Sequence, residues 1–300
     1  MRLLHVDSGS EMRGGQWQAL YLATELDKRG HEVKLLAKGP LLEAAQAAGL
    51  DAEPVSAVRI ARESRRVDLT HVHDASSHTL AAIAVGSPLV VSRRVAFAPK
   101  ASAASRWKYG RATHFIAVSK FVQSVLEAAG LPAERISVVF DGVPVPPHVM
   151  PYLERDARKI VCLASVDPLK GGELLRSVSE RTGITMHSSR ALWDDLPTAS
   201  LFLYLTESEG LGSAALLAMA HGVPVIASRV GGLPEIVQHG ITGLLTENSI
   251  EAVAAAIRRV FDDRTFAASM SSASRADVEQ HHSLASMAEA TLDVYRRIRA

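Results

Sequence analysis

The stretch "TESEGLGSAALLAMAHGVPVIASRVGGLPE", residues 206–235, sets Gly210 and Gly212 ahead of an almost wholly apolar segment and a second pair, Gly231-Gly232, beyond the next one. Ser213 reads as the N-cap of a helix whose body, 214–220, is apolar on every side and therefore buried. Gly222-Val223-Pro224 ends that helix and starts a strand. Bare backbone at Gly210 and Gly212 leaves the first amides of the helix open, and an anion such as a phosphate suits a helix start of that kind. A tight loop in a packed α/β layer is the plainer reading of the same glycines.

On either side of this stretch, strands and helices alternate. Strands are expected at 3–6, 32–37, 69–73, 89–92, 114–118, 160–164, 184–187, 201–205 and 224–227. Helices are expected at 16–29, 41–49, 77–85, 120–130, 172–180, 214–220, 233–238, 250–261 and 284–298. That alternation predicts an α/β fold with parallel sheets covered on both faces. Pro144, Pro146, Pro147 and Pro151 continue neither element type and mark a linker. Two doubly wound halves follow, a first domain over 1–146 and a second over 147–300, with a cleft between them.

Composition narrows the class. A chain of 300 residues that is 47% hydrophobic has enough apolar side chains for two buried cores. Cys162 is the only cysteine, which excludes an internal disulfide and a cysteine-rich metal site. The apolar window 80–91 is interrupted by Gly86, Ser87 and Pro88, so it does not reach the about 20 residues that span a bilayer. The opening, Met1-Arg2 and then Leu3 to Val6, lacks the order of an export leader, and the cytoplasm is the expected compartment.

The net charge of +1 conceals an asymmetry, +4 over residues 1–150 and −3 over the rest. Between Ala75 and Leu126 there is no acid, while Arg93, Arg94, Lys100, Arg106, Lys108, Arg111 and Lys120 are basic, with Phe97, Trp107 and Tyr109 interleaved. This suits an anionic membrane surface, such as the inner membrane face, or a phosphate-bearing acceptor; a solvated basic face is the plain alternative. No nucleic-acid module is visible. In "HVHD", His71 and His73 share one strand face and Asp74 stands at its C-terminal end, where α/β sites lie. Metal binding there needs a third ligand that the run does not supply. Asp194-Asp195 reads as a solvated helix start.

The order Glu209, Gly210, Gly212, Ala218-Met219-Ala220, Gly222, Pro224-Val225, Gly231-Gly232, Glu235, Gly240, Gly243, Leu245 resembles the nucleotide-sugar-binding segment of the retaining glycosyltransferases of family 4. "RGGQWQALYLATELDKRGHEV" looks like the family's glycine loop and first helix, and "VDPLKGGELL" like its lysine loop. "HFIAVSKFVQSVLEAAGLPAERISVVFDGV" is similar to the segment that closes the first domain. The resemblance implies the GT-B fold, two Rossmann-like domains with the last helix returning toward the first. It implies a metal-independent transfer of a sugar, with retention, from a nucleotide diphosphate to a glycan, lipid-linked or small-molecule acceptor, without a cofactor. A cell-envelope glycan is one such acceptor.

Carried over residue by residue, the resemblance places Gly14, Gly15, Lys170, Glu209, Gly210, Leu211, Gly212, Ser213, Leu217, Gly231 and Gly232 at the donor. It assigns catalytic parts to Glu209, Lys170 and Arg94, and acceptor-side positions to His73, Asp74 and Arg94. The departures are specific. Ser165 stands where the family usually has arginine, and Leu217 where a second glutamate accepts hydrogen bonds from the ribose hydroxyls. Losing that acceptor weakens donor binding by roughly ten- to a hundredfold unless Glu207 or a backbone group substitutes. Arg94 replaces a histidine that many members carry, and the region between Thr182 and Ser200 is short by a strand and a helix. A degenerate donor-binding subunit and a sugar epimerase on the same fold are the alternatives.

Overall fold

The computed structural model describes residues 1–155, 158–165 and 168–299. It divides into two compact units, Met1–Gly142 together with the segment that opens at Leu284, and Val143–Ser283.

The first unit runs β1 (Arg2–Val6), α1 (Gly14–Lys28), β2 (Glu32–Ala37), α2 (Gly39–Ala47), β3 (Asp51–Pro54), α3 (Ala57–Glu63), β4 (Leu69–Val72), α4 (Ala75–Ala84), β5 (Leu89–Arg93), α5 (Ala103–Gly110), β6 (His114–Ala117), α6 (Lys120–Ala128) and β7 (Ile136–Val138). Its sheet is parallel throughout, in the order β3-β2-β1-β4-β5-β6-β7. The central strands β4 and β5 are buried at every residue, as a sheet covered on both faces requires. One face carries Leu3, Leu69 and Val90 beneath Leu22 and Leu26 of α1 and Met287, Leu292 and Tyr295 of the chain's last helix.

The second unit runs β8 (Ile160–Leu163), α7 (Gly172–Thr182), β9 (Met186–Ser189), α8 (Leu192–Asp195), β10 (Leu201–Tyr204), α9 (Ser213–Ala220), β11 (Val225–Ser228), α10 (Leu233–Ile236), β12 (Leu244–Thr246), α11 (Ile250–Asp262) and α12 (Arg264–His281). The last helix, α13 (Leu284–Arg299), packs in the first unit. The second sheet is also parallel, ordered β12-β11-β10-β8-β9. In the same unit Arg155 is almost fully buried and donates to the carbonyls of Met150, Leu196, Ala199 and His221.

Two doubly wound α/β units of this kind are the expected fold class. The strand order reverses between β1 and β4 in the first sheet and between β8 and β10 in the second. In open parallel sheets the loops at the carboxyl ends of such strand pairs splay apart and leave a crevice. Among the described residues no helix is long and apolar enough to cross a membrane.

One detail corrects the expected helix start. The N-cap of α9 is Gly212, with φ 108° and no side-chain cap, and Ser213 is the first helical residue. A Cβ on Gly212 would sit 2.6 Å from Leu233 Cδ2, so both the left-handed backbone and the packing call for glycine.

Candidate functional site

In the second unit the reversal of strand order places the loop after β8 beside the loop after β10, and the charged residues lie there. Lys170 ends a 3₁₀ turn, Pro168–Lys170, and its Nζ is 2.5 Å from Glu209 Oε2. The Tyr204 hydroxyl donates to the same oxygen at 2.6 Å, and the Gly210 amide donates to Glu209 Oε1 at 3.0 Å. Tyr204 closes β10, with its ring 5.7 Å below the Lys170 ammonium. Burial, and then the neighbouring carboxylate, lift the phenol well above its ordinary pKa, so it remains a donor at neutral pH. Tyr204 is a residue that sequence reading missed. It stands in an apolar run, and only the end of the strand aims its hydroxyl at the carboxylate.

The glycines have a structural reason here. A Cβ on Gly231, at φ 55°, would lie 1.9 Å from the Glu209 carbonyl oxygen, and one on Gly232 would lie 2.1 Å from that of Gly210. The two loops therefore press backbone against backbone, which fixes where Glu209 leaves its loop. Leu211 is buried and Leu217 half-buried. Glu207, the candidate substitute for the missing ribose acceptor, accepts from Asn248 Nδ2 at 3.1 Å, and Asn248 also donates to the Thr206 carbonyl at 3.0 Å.

In the first unit Gly14 and Gly15 open α1, and the side-chain oxygen of Gln16 accepts from the Arg13 amide at 3.3 Å. Asp74 caps α4: it accepts from the Ser8 amide and hydroxyl and from the amides of Ser76 and Ser77. Burial alone would raise its pKa, and the hydrogen bonds from Ser77, Ser8 and Ser76 outweigh that and hold it below its ordinary value. Its oxygens thus join the loop after β1 to the loop after β4.

Arg94 follows β5 and pairs with Asp141, Nε to Oδ1 at 2.9 Å, while its Nη1 lies 3.4 Å from His73 Nδ1. Next to His73 the sheet supplies an imidazole that the "HVHD" run could not, His5 of β1, with Nδ1 2.9 Å from His73 Nε2. His71, in register with His5, contacts the Tyr295 hydroxyl at 2.6 Å and Ser92 Oγ at 2.8 Å. Burial, and then the Arg94 charge, push His5 down to about 3. His71 and His73 are likewise held well below the usual histidine value, first by burial.

The basic stretch divides in two. Arg93 is buried and donates to the Phe97 carbonyl, Lys108 to the Ala75 carbonyl and Thr79, and Arg111 to the Ala82 carbonyl. Lys100, Arg106, Arg111 and Lys120 are exposed, Lys100 and Arg106 near in sequence to Phe97 and Trp107, which are 67% and 52% exposed.

Residues 12–145 match a family model described as Glycosyltransferase Family 4, and residues 173–277 one described as Glycosyl transferases group 1. The chain is 33% identical over 159 residues to alpha-maltose-1-phosphate synthase of Mycobacterium tuberculosis (strain ATCC 25618 / H37Rv), a match covering 48% of this chain and 41% of that one. It is 28% identical over 210 residues to D-inositol 3-phosphate glycosyltransferase of Corynebacterium glutamicum (strain R), covering 65% and 46%. The chain thus spans less than half the length of these curated relatives. The fold matches that of Anabaena Alr3699/HepE, solved in complex with UDP and glucose, with a TM-score of 0.84 over 99% of each chain at 18% identity.

Proposed function

We propose that this chain, which belongs to the group 1 glycosyltransferases of family 4, transfers a sugar from a nucleotide-diphosphate donor to an acceptor hydroxyl with retention of configuration. The observation that carries the reading is the Lys170–Glu209 pair, held by Tyr204 at the reversal point of the second sheet. Without a donor the ammonium and the carboxylate satisfy each other. A diphosphate would draw Lys170 to itself and free Glu209 for the hydroxyls of the donor sugar.

The bond from the sugar's anomeric carbon to the diphosphate breaks, and a bond to the acceptor oxygen forms on the same face. The acceptor's proton goes to the departing diphosphate. Lys170 and the start of α9 at Gly212 to Ala214 would meet the growing charge, where preorganised donors act most strongly on rate. A donor contact at Gly14-Gly15, at the start of α1, is carried by the resemblance alone. Neither a metal nor a cofactor is invoked. Arg94 would meet an anionic group of the acceptor, since guanidinium stays charged and binds phosphate or carboxylate through paired N–H groups.

A thermal-shift panel of nucleotide-diphosphate sugars, followed by donor hydrolysis with Glu209→Gln, tests this. One donor should stabilise the chain and be turned over, with turnover falling at least about a hundredfold in the variant. No stabilisation by any donor would remove the reading. Stabilisation without turnover would favour the degenerate donor-binding subunit, which Ser165 and Leu217 suit.

A membrane-facing role is a second part of the proposal, placing the chain at the inner membrane face with a lipid-linked or cell-envelope acceptor. Exposed Trp107 and Phe97, near in sequence to exposed Lys100 and Arg106, support it. Sedimentation with anionic and neutral vesicles decides it. Binding that ignores lipid charge, or that survives joint replacement of Lys100, Arg106 and Trp107 by serine, would end it.

A further inference from the structure

Arg94 is one end of a chain of side chains at the carboxyl edge of the first sheet. Asp141 takes its Nε, its Nη1 faces His73 Nδ1, His73 Nε2 faces His5 Nδ1, and His5 Nε2 is buried with no partner among the described residues. Guanidinium only donates, so the His73 nitrogen that faces it carries a lone pair. Burial holds both imidazoles neutral at pH 7, with the Arg94 charge adding to the effect. The His73 proton therefore sits on Nε2 and is donated to His5 Nδ1, which leaves the His5 proton on Nε2. That unpaired buried N–H is the residue of a hydrogen-bond order dictated from the arginine inward.

We infer that His73 is a positioning residue for Arg94, its Nδ1 lone pair kept toward the guanidinium while its Nε2–H is donated to His5, so that the N–H groups not taken by Asp141 and His73 are aimed at a phosphate or carboxylate on the acceptor. This rests on the reading of Arg94 as an acceptor-side contact. Asp141 alone grips only the Nε edge and leaves the guanidinium free to swing about that bond. The lone pair of His73 supplies the second point that sets its plane.

The same region offers a competing use. His5, His71 and His73 bring possible ligand atoms within 4.8 Å of one another, a donor set that zinc would accept. Zinc on His73 Nε2 would move the proton to Nδ1, against the N–H of Arg94, and would set a dication beside a guanidinium. Both nitrogens of His71 are already engaged, with Tyr295 and Ser92. The arrangement therefore favours the proton-ordered chain.

Imidazole nitrogen NMR on the full, unsubstituted chain at pH 7 reads the tautomers directly. His5 and His73 are expected neutral with the proton on Nε2. An imidazolium at either position, a proton on His73 Nδ1, or stoichiometric Zn²⁺ binding that removes the Nε2 protons would overturn the inference.

Calorimetry with inorganic phosphate as the probe reads the consequence. His73→Asn keeps an oxygen near the place of Nδ1 and should bind phosphate within about threefold of the parent, while His73→Leu should lose roughly tenfold. Equal affinity in the parent and His73→Leu would refute the positioning role. Undiminished binding in Arg94→Gln would instead refute Arg94 as the anion contact, with the tautomers still as assigned.

Discussion

Replacing Tyr204 by phenylalanine removes one oxygen and little else. The ring keeps its stacked neighbour Phe202, with centroids 5.9 Å apart, and its place below Lys170. What disappears is a 2.6 Å hydrogen bond from a buried phenol to a carboxylate that is only 13% exposed. A hydrogen bond to a charged group contributes about 1.5–3 kcal/mol. Because Lys170 and the Gly210 amide still serve Glu209, the lower half of that range applies, about 2 kcal/mol, or roughly 4–8 °C in the melting temperature of a unit of this size.

Differential scanning calorimetry of Tyr204→Phe, of Glu209→Gln and of the double variant measures the effect and its origin. If the hydroxyl acts through the carboxylate, its removal should cost less in the Glu209→Gln background, with a coupling of at least about 1 kcal/mol. Glu209→Gln is itself expected to destabilise. With the amide oxygen serving Lys170 and Tyr204, the amide nitrogen faces the Gly210 N–H, donor against donor. A Tyr204→Phe cost below about 0.5 kcal/mol, or strict additivity of the two changes, would refute the reasoning.

Arg155→Met strips donors from the buried carbonyls of Leu196, Ala199 and His221 and from that of Met150, and should cost at least about 3 kcal/mol in urea denaturation, with partial recovery in Arg155→Lys. Burial first, and then nearby cations, hold His5, His78 and His221 at about 3, about 3 and about 4, against 6.5 for a free histidine. The unfolded chain therefore takes up these protons first as the pH drops. Stability is full above about pH 6.5 and should fall toward pH 4 by about 1.4 kcal/mol per pH unit for each histidine, and a urea midpoint that stays level from pH 7 to 4.5 would contradict this. Leu217→Glu should tighten, by roughly tenfold in calorimetry, the binding of whichever nucleotide-diphosphate sugar stabilises the parent, if the ribose lies against α9; lost stability with no gain in affinity would mark Leu217 as part of an apolar wall.

The alternation of apolar runs and glycine-ended helices in the sequence was enough to set the α/β class, because buried parallel strands must be apolar on both faces. The short or polar elements did not stand out. Asp51–Pro54 and Ile136–Val138 are strands held by a single neighbour each at the sheet edges, so pairing rather than composition makes them strands. Helix α12 is rich in serine and small residues, so no apolar period announces it, yet Ala267, Met270 and Val278 are buried.

At the candidate site, residue spacing along 206–235 singled out Glu209 and the glycine pairs, and the match of "VDPLKGGELL" singled out Lys170. Local sequence carries that information because each loop follows its own strand. Partnership between loops is a different matter. That Gly231 and Gly232 serve the close approach of the 209–210 backbone, that Tyr204 completes the Lys170–Glu209 pair, and that His5 of β1 joins His73 and Arg94 across the sheet all depend on strand order. Residues separated by up to 68 positions meet there only because strands that are distant in the chain lie side by side. The chain's own order determines which elements form; hydrogen-bonded pairing between distant strands decides which of their side chains can act together.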